Sequence, residues 1–298
     1  MGPMGTWLLA LQLLGWVWVG RATVSNSFKD CNQFLFMKTP PVGLRGKELQ
    51  WICQHYNSQP YYVTLYDSSR RTPIYSAYTF KKSDGQERMD TPWMYEPQLA
   101  SRDDSGNMRV LPPVEEMDPL IEASQAVLQD FADAILYERG ALNPDQHQST
   151  SEQKAATYTL TNNVPLVTAF LEESWTAYVD TVRQRLNNFC RGKAYVVTGV
   201  VVTGTMIRRR NTDRLAVPKY LWSAYCCPRF DRNSPYEVRY MFPTYAAYGI
   251  NQEVGYSVQE VPLKTLESIL KNQTDVDQNL SLFYKDCIVE NTVKKRKK

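Results

Sequence analysis

The sequence predicts an α+β domain built around a β-sheet. The chain has 298 residues, of which 43% are hydrophobic, enough for one sizeable core. It is rich in aromatic residues, with 19 Tyr, 10 Phe and 7 Trp, which favour sheets over helical bundles. Residues 61–67 and 74–80 alternate in β-branched and aromatic side chains around a polar turn, the pattern of a hairpin. The valine-rich run at 193–202 predicts a buried strand.

The remaining elements follow in order along the chain. Residues 81–115 are rich in Gly, Pro and Asp and predict a long loop. Imperfect helical periodicity covers 118–136, and residues 157–160 predict a strand that ends at Asn162. Residues 172–190 predict an amphipathic helix with Trp175, Val179 and Leu186 on one side. A last helix is expected to begin near Pro262.

The amino terminus predicts secretion. Residues 7–19 form an apolar run as long as a signal-peptide core and too short for a comfortable membrane span. The small residues Gly20 and Ala22 follow it, so we expect a signal peptide at 1–22, with a retained amino-terminal anchor as the alternative. No later segment is apolar enough to cross a bilayer, so a secreted or extracellular mature chain without a transmembrane span is expected.

The cysteines and two glycosylation sequons agree with a secreted chain in an oxidising compartment. Six cysteines form an even set without zinc-ligand spacing, which predicts disulfides, although six cysteines allow fifteen pairings. They are Cys31, Cys53, Cys190, Cys226, Cys227 and Cys287. Asn272 and Asn279 begin N-glycosylation sequons, which predicts an exposed carboxyl-terminal region.

The charge is concentrated at one end of the chain. The formal net charge of +3 includes Arg21 and the five cations of 294–298. Without these six residues, 28 basic side chains face 31 acidic ones, so the body lies near −3. This charge balance differs from that of typical nucleic-acid-binding domains, which carry a strongly basic face. The tail at 291–298 is expected to hold anionic glycans, lipids or nucleic acid weakly.

Three short motifs carry a resemblance to a known family. They are Glu-Arg-Gly-Ala-Leu-Asn-Pro at 138–144, Leu-Thr-Asn-Asn-Val-Pro at 160–165, and Phe170 with Trp175. This order resembles the DNA/RNA non-specific endonucleases. Residues 31–44, 51–56, 92–97 and 217–227 resemble its vertebrate branch, the endonuclease domain-containing 1 proteins. The resemblance covers roughly residues 28–290 and implies a central, mainly antiparallel sheet with flanking helices and a ββα-metal finger.

The resemblance also implies a site around one divalent cation such as Mg²⁺, and this sequence departs from it at three positions. The general-base histidine falls on Ala141, the metal-binding asparagine on Leu171, and a glutamate one helical turn after the tryptophan on Val179. These hydrocarbon side chains neither accept a proton nor coordinate a hard cation, which binds oxygen ligands. We therefore expect no cofactor in this chain.

Several polar residues remain open to two interpretations. Glu138 could bind a cation and Arg139 a phosphate, or Arg139 could pair with a carboxylate while Gly140 permits a tight entry to the finger. His147 is either a displaced base or an ordinary surface residue, and His55 is expected to be packed or to cap the chain.

A basic cluster lies in a predicted loop between two strands. Arg208, Arg209 and Arg210, with Arg214 nearby, suit phosphate or nucleic-acid contacts because the guanidinium fork bonds two oxygens, or they form a solvated loop.

The sequence thus predicts a signal peptide at 1–22, an endonuclease-like domain at 23–290 and a basic tail at 291–298. The function that fits best is a secreted pseudonuclease that retains at most nucleic-acid or partner binding. The alternative is an active Mg²⁺-dependent endonuclease that uses substituted site residues.

Overall fold

The computed structural model describes residues 23–86, 90–273 and 276–288. The predicted signal peptide and the basic tail lie outside these residues. Within them, no helix is both long and apolar enough to cross a membrane.

The architecture is α+β, as predicted. In chain order the strands are β1 (Val24–Ser25), β2 (Leu49–Tyr56), β3 (Gln59–Asp67), β4 (Thr72–Phe80), β5 (Met94–Tyr95), β6 (Arg109–Val110), β7 (Tyr137–Ala141), β8 (Asn163–Val167), β9 (Ala194–Arg209), β10 (Thr212–Cys226), β11 (Thr244–Ile250) and β12 (Val258–Val261). The helices are α1 (Pro97–Ala100), α2 (Pro119–Ser124), α3 (Gln129–Ala132), α4 (Ser151–Ala155), α5 (Thr176–Phe189), α6 (Tyr236–Arg239) and α7 (Leu263–Gln273).

Eight strands form one antiparallel sheet, in the order β1-β2-β3-β4-β9-β10-β11-β12. The predicted hairpin is β3–β4, and the predicted valine strand is the central strand β9. Separate two-stranded sheets pair β5 with β6 and β7 with β8. A π-helical turn, Phe170–Trp175, leads from β8 into α5. Strands β7 and β8 with α5 form the finger implied by the family resemblance.

The central sheet has a hydrophobic core on each face. Because side chains alternate along a strand, Val196 and Val200 of β9 enter the core beneath the finger, while Val197 and Val201 enter the core beneath α7. Both faces of the central strands are therefore buried, which is why residues 193–202 are almost continuously apolar.

The six cysteines form three disulfides: Cys31–Cys53, Cys190–Cys227 and Cys226–Cys287. Cys226 and Cys227 are neighbours in sequence but point to opposite faces at the end of β10. Cys227 joins the core beneath the finger and Cys226 the core beneath α7. This alternation separates Cys227, which pairs with Cys190, from Cys226, which pairs with Cys287.

The helix expected at 118–136 was a wrong prediction. The segment contains two short helices, α2 and α3, separated by an extended Gln125 (φ −150°). The Gln125 side chain exchanges two hydrogen bonds with the Glu96 backbone, at 2.8 and 2.9 Å. The Asp130 carboxylate accepts from the Val127 N–H at 3.0 Å. These side-chain bonds to backbone groups compete with a continuous helix.

The strand expected at 157–160 was also wrong. Residues Leu160–Asn162 form a 3-10 turn, and the strand begins only at Asn163. The reason is Asn162, whose buried amide donates to the carbonyls of Asn143 and Thr157, each at 3.0 Å. A side chain therefore satisfies a carbonyl that a strand ladder would otherwise bind.

Candidate functional site

The candidate site is a cleft on the finger. Strands β7 and β8 pair so that Ala141 lies opposite Asn163 and Glu138 opposite Leu166. Gly140 lies against Leu166, and a Cβ at Gly140 would meet the Leu166 Cδ1 at 2.2 Å. This close approach explains the glycine of the motif without a special backbone conformation.

The cleft has a volume of about 410 Å³, within the size range of small-ligand sites. Its wall contains Ala141, Leu171 and Val179, the three positions at which the sequence is expected to depart from the family motif, together with Glu138 and Arg139. Further lining residues come from the loops and from α5: Trp93, Pro144, Asp145, Gln146, Thr157, Tyr158, Asn163, Glu172, Trp175 and Thr176. The motifs that are separated in sequence thus meet at one place.

The Arg139 guanidinium lies against aromatic rings. It is 4.9 Å from the centroid of the Trp93 ring and 5.8 Å from that of Phe131. This stacking holds a cation in the cleft wall through the negative faces of the rings.

His147 lies beneath the finger rather than on the surface, so its interpretation as an ordinary surface residue was wrong. Only 3% of the residue is exposed. Its Nε2–H donates to the Val179 carbonyl at 2.9 Å, and its Nδ1 accepts from the Tyr78 hydroxyl at 2.8 Å. Burial lowers the His147 pKa from 6.5 to about 4. Both ring nitrogens are occupied, and His147 does not line the cleft, so the imidazole is not placed as a base there.

His55, the other histidine, is half-buried at the end of β2. Its Nδ1 lies 2.9 Å from the Cys53 carbonyl.

A buried polar network connects the finger to the central sheet. The Asn162 Oδ1 accepts from the Ser76 hydroxyl at 2.9 Å and from the Asn143 N–H at 3.0 Å. Together with the two bonds that its amide donates, Asn162 fills its hydrogen-bonding capacity while wholly buried. Asn162 therefore fixes the segment after β7 against β4, a positioning role that the sequence motif alone did not reveal.

The network continues to a buried carboxyl group. The Gln54 amide donates to the Thr161 hydroxyl at 2.9 Å, and the Thr159 hydroxyl lies 3.3 Å from Glu96 Oε1. Glu96 is only 1% exposed, and this burial raises its pKa from 4.5 to about 8. Glu96 is thus held largely as the neutral acid at pH 7, beneath the segment that leads into β8.

The basic cluster lies apart from the cleft. Arg208 and Arg209 end β9 rather than lying in a loop, and only Arg210 and Asn211 form the turn, with φ of +49° and +62°. Of the residues that the structure describes, none lines both the cleft and the depression beside this hairpin.

Carboxylates already bind two of the three arginines at 208–210 that were predicted to contact phosphate. Arg208 pairs with Asp213 at 2.9 Å. Arg209 pairs with Glu122 and with the buried Asp130, the latter at 3.0 Å. Arg210 has no hydrogen bond or ion pair within the described residues.

Buried Arg214 belongs to the same network. It binds Asp130 through Nε at 2.8 Å and through a second guanidinium nitrogen at 3.1 Å. Two arginines thus share the Asp130 carboxylate, which ties the hairpin to α3.

The comparisons with known proteins agree with the motifs. The model of the DNA/RNA non-specific endonuclease family matches residues 47–283. The chain belongs to this family. It is 30% identical over 210 residues to the endonuclease domain-containing 1 protein of Homo sapiens, and 28% identical over 208 residues to that of Mus musculus. Each match covers 67% of this chain and 39% of the relative, so the chain spans about two fifths of these relatives' length.

Among solved structures, one similar chain belongs to the crystal structure of the EndoG/EndoGI complex. It is 17% identical, with a TM-score of 0.49, and the match covers 79% of this chain and 87% of that one.

The family generally uses a divalent metal, but the residues of this cleft do not fit one. Hard cations require several oxygen ligands converging at short range. Leu171 and Val179 present hydrocarbon where the motif implies an amide and a carboxylate. Nowhere in the described part of the chain do three histidine, cysteine or acidic side chains come together as a metal site would require.

Sequence reasoning missed several cleft residues, among them Trp93, Asp145, Asn163 and Glu172. Asn163 had a usable signal, since it follows Asn162 directly in the motif. Placing the strand at 163–167 would have set Asn163 opposite Ala141. The other three reach the cleft from loops and a helix start, whose positions depend on tertiary packing.

Proposed function

We propose that the chain is a degenerate, secreted member of the endonuclease family that keeps the fold as a binding module and does not hydrolyse phosphodiesters. The observation that carries this proposal is the convergence of Ala141, Leu171 and Val179 on one cleft wall. Hydrolysis of an anionic ester needs a general base, worth roughly 10²- to 10⁴-fold, and a cation on the developing charge. These side chains supply neither.

The direct test is a nuclease assay with the purified chain. Plasmid DNA and single-stranded RNA would be incubated with Mg²⁺ or Mn²⁺, with and without a chelator. We expect no cleavage above background.

The alternative is an active Mg²⁺-dependent enzyme that uses substituted residues. Chelator-sensitive cleavage that is lost in Glu138→Gln and kept in Glu173→Gln would establish this alternative. Glu173 is a suitable control because it lies outside the cleft lining and accepts from the Tyr256 hydroxyl.

Secretion belongs to the same proposal, with the boundaries 1–22, 23–290 and 291–298. Three disulfides support an oxidising compartment. Asn272 and Asn279 are exposed, as N-glycans require. Expression in a secreting cell line should yield a protein in the medium whose amino terminus lies near residue 23. The electrophoretic mobility of the secreted protein should increase after treatment with an N-glycosidase. A protein that stays with the membrane fraction would favour the retained anchor instead.

Weak nucleic-acid binding is a second candidate function, favoured by Arg210, which has no hydrogen bond or ion pair among the described residues. Arg208 and Arg209 are committed to carboxylates, so we propose that such binding depends mainly on Arg210 and the tail cations 294–298. It would show no sequence preference and would weaken as salt rises.

A further inference from the structure

The cleft carries an excess of negative charge. Among the described residues, Glu138, Asp145 and Glu172 line it, against the one guanidinium of Arg139. The Asp145 carboxylate accepts from the Tyr158 hydroxyl at 2.7 Å. Glu138 and Glu172, by contrast, make no hydrogen bond or ion pair within the described residues. Two carboxylates at the wall that have no partner among the described residues repel a phosphate and attract a cation.

A buried acceptor lies in the same wall. Asn163 is only 3% exposed. Its Nδ2 donates to the Thr159 carbonyl at 2.8 Å, which fixes the orientation of the amide, but its Oδ1 has no hydrogen-bond partner among the described residues. Because a buried oxygen without a partner is unfavourable, a ligand bearing N–H donors would stabilise this part of the cleft.

Aromatic rings complete the wall. Trp93 and Tyr158 lie with centroids 5.6 Å apart, and the buried Trp175 lines the cleft as well. The Arg139 guanidinium already lies over the Trp93 ring. Aromatic faces attract organic cations, and guanidinium groups above all stack on them.

We propose that the cleft binds a guanidinium group, presented by an arginine side chain of a protein partner or by a small free guanidinium compound. This ligand class deepens the proposed non-catalytic function, because the substituted wall no longer provides for a metal-bound phosphate. Glu138 and Glu172 supply the opposite charge, Asn163 Oδ1 accepts an N–H, and the aromatic rings pack against the cation.

The test measures binding to the purified full chain by isothermal titration calorimetry. The probes are agmatine, which is a free guanidinium compound, the peptide acetyl-Gly-Arg-Gly-amide, its glutamate counterpart acetyl-Gly-Glu-Gly-amide, and inorganic phosphate. We expect one site for at least one guanidinium probe, and no binding of the glutamate peptide or phosphate in the cleft. Binding of agmatine alone would assign a small free guanidinium compound, and binding of the arginine peptide would assign a protein side chain.

The decisive variant is Glu138→Gln with Glu172→Gln. Both residues are exposed, so the fold should be unaffected, which thermal unfolding checks. Because each exposed charge contributes modestly, we expect guanidinium binding to weaken by about threefold to tenfold. Glu173→Gln, which removes a neighbouring carboxylate outside the cleft, should leave binding unchanged.

The ligand class would be overturned if neither guanidinium probe bound, if phosphate bound as tightly as agmatine, or if the double variant bound like the wild type. These outcomes are separate from the nuclease assay. Metal-dependent cleavage would overturn the non-catalytic function, whereas loss of probe binding would overturn only the ligand class.

Discussion

Replacing His147 with glutamine should remove a pH-dependent contribution to stability beneath the finger. The imidazole joins Tyr78 of β4 to Val179 of α5, and its pKa falls from 6.5 to about 4 because it is buried. Since the folded pKa is depressed, the folded state prefers the neutral ring. The His147 contribution is therefore complete above pH 6.5 and is lost as the pH falls towards 4.

The magnitude follows from these two pKa values. Between pH 7.5 and pH 4.5, protonation of His147 in the unfolded state should cost the wild type about 2.5 kcal/mol. Glutamine offers one acceptor and one donor in the same place but does not titrate. The difference in unfolding free energy between wild type and His147→Gln should therefore change by that amount between the two pH values.

The assay is denaturant unfolding at pH 7.5, 6.0 and 4.5 with the disulfides intact. Comparing the two proteins at each pH cancels the titration of every other group, including Glu96. His55→Gln, which removes the other histidine from a half-buried position, is the control for the loss of an imidazole elsewhere in the chain. If the unfolding free energies of wild type and His147→Gln depend on pH in parallel, the buried neutral imidazole does not stabilise the fold as described.

Three further changes test the network, the cleft and the basic cluster. Glu96→Gln should remove a pH dependence of opposite sign. The Glu96 pKa is raised from 4.5 to about 8, so the contribution of Glu96 to stability is complete well below pH 4.5 and is smaller by about 4 kcal/mol at pH 7.5, as pH-dependent unfolding would measure. An equal slope in the variant would contradict this. Ala141→His alone should restore little cleavage in a Mg²⁺ plasmid assay, because Leu171 still supplies no metal ligand. The double variant Ala141→His with Leu171→Asn should cleave more than Ala141→His alone. Equal cleavage by the two variants would argue that positions 141 and 171 do not correspond to the histidine and asparagine of the family. Arg210→Ala should lower the slope of nucleic-acid affinity against salt by roughly one unit, whereas Arg208→Ala should change it less because Asp213 holds Arg208. If a chain ending at Val293 loses all binding and Arg210→Ala changes nothing, the tail alone binds nucleic acid.

Local sequence predicted much of the fold. The alternation of β3 and β4 and the valine run of β9 gave the centre of the sheet, because a strand buried on two faces must be apolar throughout. Helix α5 followed from its apolar stripe. The motifs gave the family and the three substituted positions, which meet in the cleft.

Side-chain hydrogen bonds to the backbone explain the two elements that the periodicity predicted wrongly. Asn162 fixed the turn before β8, and Gln125 divided the predicted helix into α2 and α3. Their partners, Asn143 and Glu96, are distant in sequence from these residues. A prediction from local sequence patterns therefore cannot find these hydrogen bonds.

The sequence by itself determined the composition of the site: Ala141, Leu171 and Val179 cannot coordinate a metal ion in any fold, because their side chains are hydrocarbon. Only the tertiary structure decided which charged side chains remain available to contact a ligand. It buried His147 and bound Arg209 to Asp130, yet left Glu138 without a partner among the described residues. Those outcomes depend on distances between segments far apart in the chain, and electrostatic interactions and burial are set by such distances.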